Sequence, residues 1–218
     1  MNIIGLSDIH GRCSYIHKLA QCLEDADLVV LAGDITHFQG ISRARHVLEM
    51  VGRYAPRVLA VSGNCDEPGV DDWLADQGAG LHARFEIIDG IAFAGLGGSV
   101  VTPFHTPNEY DEDTAKQYLQ TAVSGLDPGA ALVLVSHQPP ADTRCDRIGS
   151  GKHVGSRALR EFIEVHQPIV CFTGHIHEAA ATDEIGVTKI INPGPLWRGG
   201  YAHATIESEN AQVMIRRV

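Results

Sequence analysis

The sequence lacks the long apolar runs and the targeting signals that mark membrane and secreted proteins. No uninterrupted apolar stretch approaches the ~18 residues that a membrane-spanning helix requires. The first residues, MNIIGLSDIHG, show no basic segment followed by an apolar core and a small-residue cleavage site. We therefore expect neither a membrane anchor nor a secretory leader, and we expect a cytoplasmic location.

Cysteine is scarce and scattered. The five cysteines, at positions 13, 22, 65, 145 and 171, are odd in number and form no Cys-x-x-Cys pair. This spacing argues against a disulfide framework and against a structural zinc finger. The fold must therefore depend on its apolar core, which a chain of 218 residues is long enough to build.

Basic residues are fewer than acidic residues. Lysine and arginine number 17 against 27 aspartate and glutamate residues, so the formal net charge is −10 with neutral histidines. A protein of this charge is not expected to grip long nucleic acids through a basic face. A small phosphorylated substrate is still compatible with it, because bound metal ions supply positive charge locally.

The first 65 residues alternate between strand and helix patterns. Strands are predicted at NIIGLSD, DLVVLAGD and RVLAVSGN, with the helices SYIHKLAQCLED and SRARHVLEMVGRY between them. Such alternation predicts β-α-β crossovers and a parallel sheet covered by helices. Neither a repeat nor a linker interrupts the chain, so we predict a single α/β domain over residues 1–218, with two stacked sheets and helices outside.

The remaining residues continue the α/β pattern. RFEIIDGIAFAGLGG predicts a hairpin around Asp89 and Gly90, and a helix is predicted from about Asn108 to Val123. ALVLVSH and PIVCFTGH are predicted buried strands, with the helix SRALREFIEVH between them. The tail is predicted to form antiparallel strands with a turn at Glu209 and Asn210.

Five of the predicted strands end in residues of a type that binds metals. Ligands of α/β proteins bind at the carboxyl ends of the strands, so these side chains are expected at one rim of the molecule. A single Asp after Gly is often only a turn or helix cap, but here the feature recurs behind one buried strand after another. The set is Asp8, His10, Asp34, Asn64, His137, His175 and His177.

Two aspartates, one asparagine and four histidines form a mixed oxygen and nitrogen donor set. Such a set suits Mn²⁺, Fe²⁺ or Zn²⁺ better than Mg²⁺ or Ca²⁺, and we favour manganese. Seven donors are too many for one ion and about right for two, with Asp34 as the natural bridging carboxylate. Two ions ~3.5–4 Å apart can hold a hydroxide between them and clamp an in-line displacement at phosphorus.

This ordered series resembles the calcineurin-like metallophosphoesterase superfamily. The matching motifs are Asp8-x-His10, Gly33-Asp34, Gly63-Asn64, His137, Gly174-His175-x-His177 and Asn192-Pro193-Gly194. The resemblance implies a four-layer α-β-β-α sandwich with two mixed sheets, and hydrolysis of phosphomonoesters or phosphodiesters. It also implies one metal on Asp8, His10, Asp34 and His177, and a second on Asp34, Asn64, His137 and His175.

The sequence departs from this family at Cys65, where members commonly have a histidine that stabilises the transition state or protonates the leaving oxygen. The motif Gly-Asn-Cys-Asp is similar to that of small bacterial and archaeal phosphodiesterases. A thiol is a weaker hydrogen-bond donor than imidazolium. Among the candidate catalytic residues we therefore place Asn64 as a ligand, Asp66 as its support and Cys65 as a weak general acid. The alternative for Cys65 is a small buried hydrophobic residue.

The loop at residues 148–160, IGSGKHVGSRALR, offers further candidates. His153 could lie over the site and replace the missing imidazole, and Lys152 and Arg157 could contact substrate oxygens. The free N–H groups of the following helix could cradle a phosphate. The alternative is a solvated loop. A second loop, which contains His105, is a candidate lid.

The function predicted from these residues is hydrolysis of a small phosphodiester, or of a phosphomonoester, by attack of a metal-bridging hydroxide. One alternative is a non-catalytic interaction scaffold on the same fold, which would be expected to have lost ligand residues. Another is a nuclease of the same superfamily, which the acidic charge and small size disfavour. The expected partner is a small phosphate ester rather than a long nucleic acid or a membrane, and a homo-oligomer is left open.

Overall fold

The computed structural model describes residues 1–207 and 210–218. The strands are β1 (Asn2–Leu6), β2 (Leu28–Ala32), β3 (Val58–Val61), β4 (Phe85–Ile88), β5 (Ile91–Leu96), β6 (Ser99–Val100), β7 (Glu109–Tyr110), β8 (Ala131–Ser136), β9 (Val170–Phe172), β10 (Ala181–Ile185), β11 (Thr188–Asn192), β12 (Gly200–Glu207) and β13 (Asn210–Arg217). The helices are α1 (Ser14–Lys18), α2 (Ala20–Glu24), α3 (Ile41–Gly52), α4 (Val70–Asp76), α5 (Glu112–Ala122) and α6 (Arg157–His166). Short 3-10 helices span Arg144–Asp146 and Leu196–Arg198.

Two large sheets are both mixed. The first has the order β13-β12-β1-β2-β3, in which β1, β2 and β3 are parallel and β12 and β13 are antiparallel. The second has the order β10-β11-β9-β8-β5-β4, with parallel strands in its centre and an antiparallel strand at each edge. The prediction of two mixed sheets is confirmed.

Alternate residues of the central strands face opposite layers. On β2, Leu28 and Val30 point towards the other sheet, whereas Val29 and Leu31 point towards helices. Because both faces are covered, the strand has a continuous apolar sequence rather than an alternating one. Phe93 and Phe172, two of the largest fully buried side chains, come from the second sheet and fill the space between the sheets.

Helices cover the outer faces of both sheets. Apolar residues of α1 to α4 pack on the first sheet, and those of α5 and α6, such as Leu119 and Phe162, pack on the second. The four layers are therefore α-β-β-α, as the family resemblance implied. Among residues 1–207 and 210–218, none of the helices has both the length and the apolar character needed to cross a bilayer.

Several predicted boundaries were wrong. The helix expected over SYIHKLAQCLED is two short helices, because the chain tightens at Leu19, whose N–H bonds the carbonyls of both Tyr15 and Ile16. The helix expected from Asn108 begins at Glu112, because β7 pairs with β6 and the Asp111 carboxylate caps the helix by accepting from Thr114 N. The predicted turn at Glu209 lies outside the described residues.

Candidate metal centre

The seven predicted ligands follow five parallel strands from both sheets. Asp8 and His10 follow β1, Asp34 follows β2 and Asn64 follows β3. The second sheet contributes His137 after β8, and His175 and His177 after β9. The carboxyl ends of the two sheets share one rim, so residues that are far apart in the sequence become neighbours.

A first group of donors surrounds Asp8. Its Oδ1 lies 3.2 Å from His177 Nε2, which in turn lies 3.3 Å from His10 Nε2. His10 Nε2 is also 3.6 Å from Asp34 Oδ2. Ligand atoms of Asp8, His10 and His177 all lie within 4.8 Å of one another, the spacing expected of atoms that share one ion.

A second group of donors surrounds His137. Its Nε2 lies 2.9 Å from Asn64 Oδ1 and 3.3 Å from Asp34 Oδ1. The ring of His175 is 5.0 Å from that of His137 between centroids. Asp34 therefore contacts both groups through different oxygens, which is the position that a bridging carboxylate requires.

The amide of Asn64 has a fixed orientation. Both the hydroxyl and the N–H of Thr106 lie within hydrogen-bond distance of Glu109 Oε1, a carboxylate oxygen that can only accept. The hydroxyl oxygen is then free to accept from Asn64 Nδ2 at 2.8 Å. The amide oxygen of Asn64 is consequently turned towards His137, as a metal ligand would be.

The orientation of His137 suits metal binding through Nε2. Its Nδ1 lies 2.9 Å from the carbonyl oxygen of Ala32, which can only accept, so Nδ1 donates to that oxygen. Nε2 is then directed at the same place as Asn64 Oδ1 and Asp34 Oδ1, as three ligands of one cation would be. In the first group, His10 Nδ1 is buried and has no hydrogen-bond partner among the described residues.

The backbone is strained at four of the seven positions. Asp8, His10, Asp34 and His175 have φ values of 53°, 49°, 48° and 67°, in the left-handed region that residues with a Cβ seldom adopt. Such strain of about 1–3 kcal/mol per residue persists only where the surroundings enforce it, and it is concentrated at functional sites.

Two glycines let the backbone approach the ligands closely. A Cβ at Gly33 would overlap the ring of His137, and a Cβ at Gly63 would overlap Asp34. The Gly-Asp and Gly-Asn motifs therefore have a steric reason as well as a chemical one.

Asp66 joins the two loops that hold Asp34 and Asn64. Its buried carboxylate accepts from Ile35 N at 3.1 Å, from Thr36 N at 2.7 Å and from Gly63 N at 2.7 Å. Burial, followed by the charge of Asp34, raises the pKa of Asp66 to about 7. The side chain thus contacts the backbone that carries the predicted ligands.

Burial and neighbouring charges shift the pKa values of two ligand residues. Burial alone would raise the pKa of Asp8, but the hydrogen bond from His177 and the charges of His137 and His177 bring it well below its usual range. Burial lowers the pKa of His175 to about 4, and the charge of His137 acts in the same direction. Asp8 is thus ionised and His175 neutral at neutral pH, and these are the forms that bind metals.

The thiol of Cys65 is a poor proton donor. Burial, followed by the charge of Asp34, raises its pKa far above the usual range. The backbone of Cys65 helps to hold a predicted ligand, because its N–H donates to Asp34 Oδ1 at 2.8 Å. The Cys65 sulfur also lies within 4.8 Å of ring nitrogens of His10 and His37. His37 itself is exposed, with its ring 5.1 Å from that of His10.

Five of the seven predicted ligands line a cleft of about 1140 Å³, namely His10, Asp34, Asn64, His175 and His177. His153 lines the same cleft, with its side chain 38% exposed and its Nδ1 2.6 Å from Asp146 Oδ1. Asp146 is fully buried and also accepts from the N–H groups of Thr143 and Gly155, at 3.0 and 2.9 Å. The ring of His153 is thereby anchored to the protein interior.

The prediction that free N–H groups of α6 cradle a phosphate is wrong. The carboxylate of Glu112 occupies that place, accepting from Ser156 Oγ at 2.7 Å, Arg157 N at 2.8 Å and Ala158 N at 3.0 Å. A carboxylate already satisfies the N-terminus of this helix, because Glu112 reaches it from α5.

The outcome for the other loop residues is mixed. The side chains of Lys152 and Arg157 do line the cleft. In the proposed lid, Phe104 and Thr106 line the cleft, whereas His105 is exposed.

Sequence reasoning missed two acidic residues that position the site. Glu109 fixes Thr106, and Asp146 fixes His153. Neither follows a predicted strand. Asp146 is one of many acidic residues in the sequence, and its contact with His153 becomes apparent only in the folded loop.

The four-layer fold and the buried cluster of carboxylates and imidazoles at one rim define a metal-dependent hydrolase. Residues 1–179 match the family described as calcineurin-like phosphoesterase. The chain belongs to this family, whose members hydrolyse phosphoesters with the help of divalent metals.

One relative and two solved structures are similar to this chain. Uncharacterized protein MJ1162 of Methanocaldococcus jannaschii is 38% identical over 200 residues, which cover 89% of this chain and 88% of the relative. TT1561 of Thermus thermophilus has a TM-score of 0.73 at 17% identity, covering 98% and 97% of the two chains. A dimetal phosphatase from Danio rerio has a TM-score of 0.69 at 14% identity, covering 100% and 96%. At these identities the two structures show a shared fold.

Proposed function

We propose that this protein hydrolyses small phosphodiesters, with phosphomonoesters as poorer substrates, at a centre of two divalent metal ions, preferably manganese. The observation that carries the proposal is the convergence of His137 Nε2, Asn64 Oδ1 and Asp34 Oδ1. Asp34 also reaches the donor group around Asp8. Buried charged groups are paired or coordinate metals, and this convergence of oxygen and nitrogen atoms fits ligands of divalent cations.

The ligand residues fit two ions. One would be held by Asp8, His10, Asp34 and His177, and the other by Asp34, Asn64, His137 and His175. Divalent cations supply Lewis-acid activation of water and neutralise charge on phosphate oxygens. Asp66 and Thr106 keep the ligands in place, through the backbone at Gly63 and through the amide of Asn64 respectively.

The preference for diesters follows from charge. Cys65 stays neutral where imidazolium would be positive, so the centre has one positive charge fewer to offset a substrate. A phosphodiester has a single negative charge, whereas a monoester has up to two near neutral pH. A centre with less positive charge therefore favours the diester.

His153 is proposed as the residue that protonates the leaving oxygen. It lines the cleft together with the ligand residues. Asp146 binds Nδ1 and leaves Nε2 for the substrate. Asp146 is thus a positioning residue that fixes the orientation of the ring. The thiol of Cys65, with its raised pKa, cannot supply this proton efficiently.

The test is hydrolysis of bis(p-nitrophenyl) phosphate and of p-nitrophenyl phosphate by manganese-loaded protein. We expect about two ions per chain by metal analysis, a higher kcat/KM for the diester, and a loss of at least ~100-fold in Asp34→Asn, since even residues that only support a ligand cost 10–100-fold. Asp127→Asn, at an exposed aspartate away from the ligands, is the matched control. Undiminished hydrolysis by Asp34→Asn would overturn the proposal. Metal analysis that finds no bound ion after incubation with manganese would also overturn it.

A further inference from the structure

Three large apolar side chains are exposed at the cleft that contains the ligands. Phe38, Val101 and Phe104 are 49%, 64% and 82% exposed, and all three line the cleft. Their exposed surface contributes little to the core, so packing does not explain it. A group of exposed apolar residues beside a functional centre is typical of a ligand-binding surface. We call these three residues the apolar wall.

The loop that carries Phe104 is held in place rather than loose. Glu109 Oε1 accepts from Thr102 Oγ1 at 2.6 Å and from Thr106 N at 2.9 Å, so one carboxylate ties both ends of the loop. Phe104 N donates to Thr102 Oγ1 at 3.1 Å within it. The conformation that presents Phe104 is therefore formed before any ligand binds, which reduces the entropy lost on binding.

Short hydrogen-bonded connections join the apolar wall to the ligand residues. Thr106 accepts from Asn64 Nδ2 at 2.8 Å. Phe38 N donates at 2.9 Å to the carbonyl of Cys65, the residue after Asn64. Val100 N, next to Val101, donates at 2.6 Å to the side chain of Gln138, which follows His137. The wall is consequently fixed relative to the point at which a phosphoryl group would bind.

A different segment supplies the polar side of the cleft. Lys152, His153 and Arg157 line it from the loop before α6 and the start of that helix, and Arg12 lines it from the loop after β1. The cationic side chains of the lining thus come from other loops than the apolar wall, and Ile148 and Val154 line the cleft beside them. A substrate that matches both has an anionic phosphoryl group and an apolar substituent.

We propose that the substrate is a phosphodiester whose non-leaving substituent is apolar, and that the apolar wall binds this substituent. The inference rests on the proposed phosphodiesterase function. Because Phe38, Val101 and Phe104 lie in other loops than His153, the proposed proton donor, we assign them to the substituent that stays on phosphorus. Alkyl and aromatic groups share the required chemistry.

The test varies the non-leaving group at constant leaving group. Methyl, butyl and octyl p-nitrophenyl phosphate release the same p-nitrophenolate, so differences in kcat/KM report binding of the alkyl chain. For the manganese-loaded parent we expect kcat/KM to rise about two- to fourfold per added methylene until the wall is covered. In Phe104→Ser and Val101→Ser we expect the ratio of octyl to methyl kcat/KM to fall at least tenfold.

Val165→Ser is the matched control, because Val165 is 76% exposed and lies in α6 after its first turn. We expect it to keep the ratio of the parent. A second readout is calorimetric binding of octylphosphonate, which we expect to be tighter than that of methylphosphonate in the parent but not in Phe104→Ser. Hexyl and phenyl p-nitrophenyl phosphate then distinguish an alkyl from an aromatic substituent. A higher kcat/KM for the phenyl ester indicates an aromatic group, and a higher kcat/KM for the hexyl ester indicates an alkyl chain.

The outcomes separate this inference from the proposed function. If the parent hydrolyses all three alkyl esters with equal kcat/KM, the apolar substituent is wrong and the phosphodiesterase function stands. If the parent hydrolyses none, the proposed function is wrong, and the phosphonate titrations still decide whether the wall binds apolar groups. An unchanged octyl to methyl ratio in both serine variants would also overturn the inference.

Discussion

At the scale of single residues, the orientation of Asn64 depends on two residues that touch no predicted metal. Glu109 accepts a hydrogen bond from the Thr106 hydroxyl, and the hydroxyl oxygen accepts one from the Asn64 amide. A ligand that is an amide rather than a carboxylate can present either oxygen or nitrogen to a cation. The hydroxyl of Thr106 therefore decides which atom faces the centre.

Thr106→Val should weaken metal binding without removing a ligand. The methyl group replaces the hydroxyl at similar volume, and the Asn64 amide loses its fixed partner. We expect metal affinity to fall by about 10- to 100-fold, measured by titration of metal-free protein with Mn²⁺. Thr121→Val removes an exposed hydroxyl from α5 and should leave the affinity unchanged. Equal affinities of the two variants would contradict the part given to Thr106.

Cys65→His should restore a cationic donor beside the ligands. We expect turnover of diesters with poor leaving groups to rise, by up to the ~100-fold at the lower end of general acid catalysis. Substrates with good leaving groups such as p-nitrophenolate should respond less, because they need little protonation. Dialkyl and p-nitrophenyl diesters measured side by side check this. A fall in turnover on the poor leaving groups would count against it.

Asp146→Asn should act through His153. An amide is a weaker acceptor than a carboxylate, so it holds Nδ1 of His153 less firmly, and kcat on poor leaving groups should fall about tenfold or more with little change in KM. The loss should be smaller with p-nitrophenolate as the leaving group, because that group needs little protonation. An equal loss with both kinds of leaving group, together with a lower melting temperature, would assign Asp146 a purely structural part.

At the scale of elements, α5 and α6 are joined at their first turns. Glu112, in the first turn of α5, occupies the N-terminus of α6 and accepts two backbone N–H groups and the hydroxyl of Ser156. An apparent anion site in the sequence is therefore an internal helix contact. We therefore expect loss of the Glu112 carboxylate to lower the stability of the fold.

Glu112→Ala should destabilise the fold by about 1–3 kcal/mol, because partly buried donors lose their acceptor. At roughly 2–4 °C per kcal/mol for a chain of this size, the melting temperature should fall by several degrees. Glu161→Ala removes an exposed carboxylate whose bond to Lys116 spans 3.4 Å at the surface, and it should cost less than about 1 kcal/mol. Calorimetry of both variants distinguishes them.

The elements that could be predicted from the sequence are those buried on both faces. The strands β1, β2, β3, β8 and β9 have continuous apolar sequences, and their polar ends directed attention to the ligand residues. The pairing of β6 with β7 and the helix α4 were missed, because they are short and depend on tertiary contacts more than on local pattern. The partners of Asn64 and His153 were missed for a related reason, since Glu109 and Asp146 are recognisable only once the loops are folded.

At the scale of the whole molecule, the predicted metals would connect the two sheets. Asp8 and Asp34 come from the first sheet, whereas His137 and His177 come from the second. Each predicted ion draws ligands from both sheets, so neither ion can be fully bound until the sheets have stacked. Metal binding should therefore contribute to the stability of the entire domain.

Removal of metal should lower the melting temperature of the protein as a whole. At a Mn²⁺ concentration about 100 times the dissociation constant, linkage predicts about 2.7 kcal/mol of stabilisation, or roughly 5–10 °C. Thermal melts of manganese-loaded protein with and without a chelator measure this. In Asp34→Asn the shift should shrink by more than half. A shift of the same size in that variant would show that the stabilising metal binds elsewhere.

The double anchor of Glu109 on Thr102 and Thr106 has a consequence for how the specificity of this protein could change. Since the ends of the loop are tied independently of what lies between, the exposed side chain of Phe104 can be exchanged without disturbing Asn64. A single codon could therefore alter which compounds are accepted while the hydrolytic apparatus is inherited unchanged.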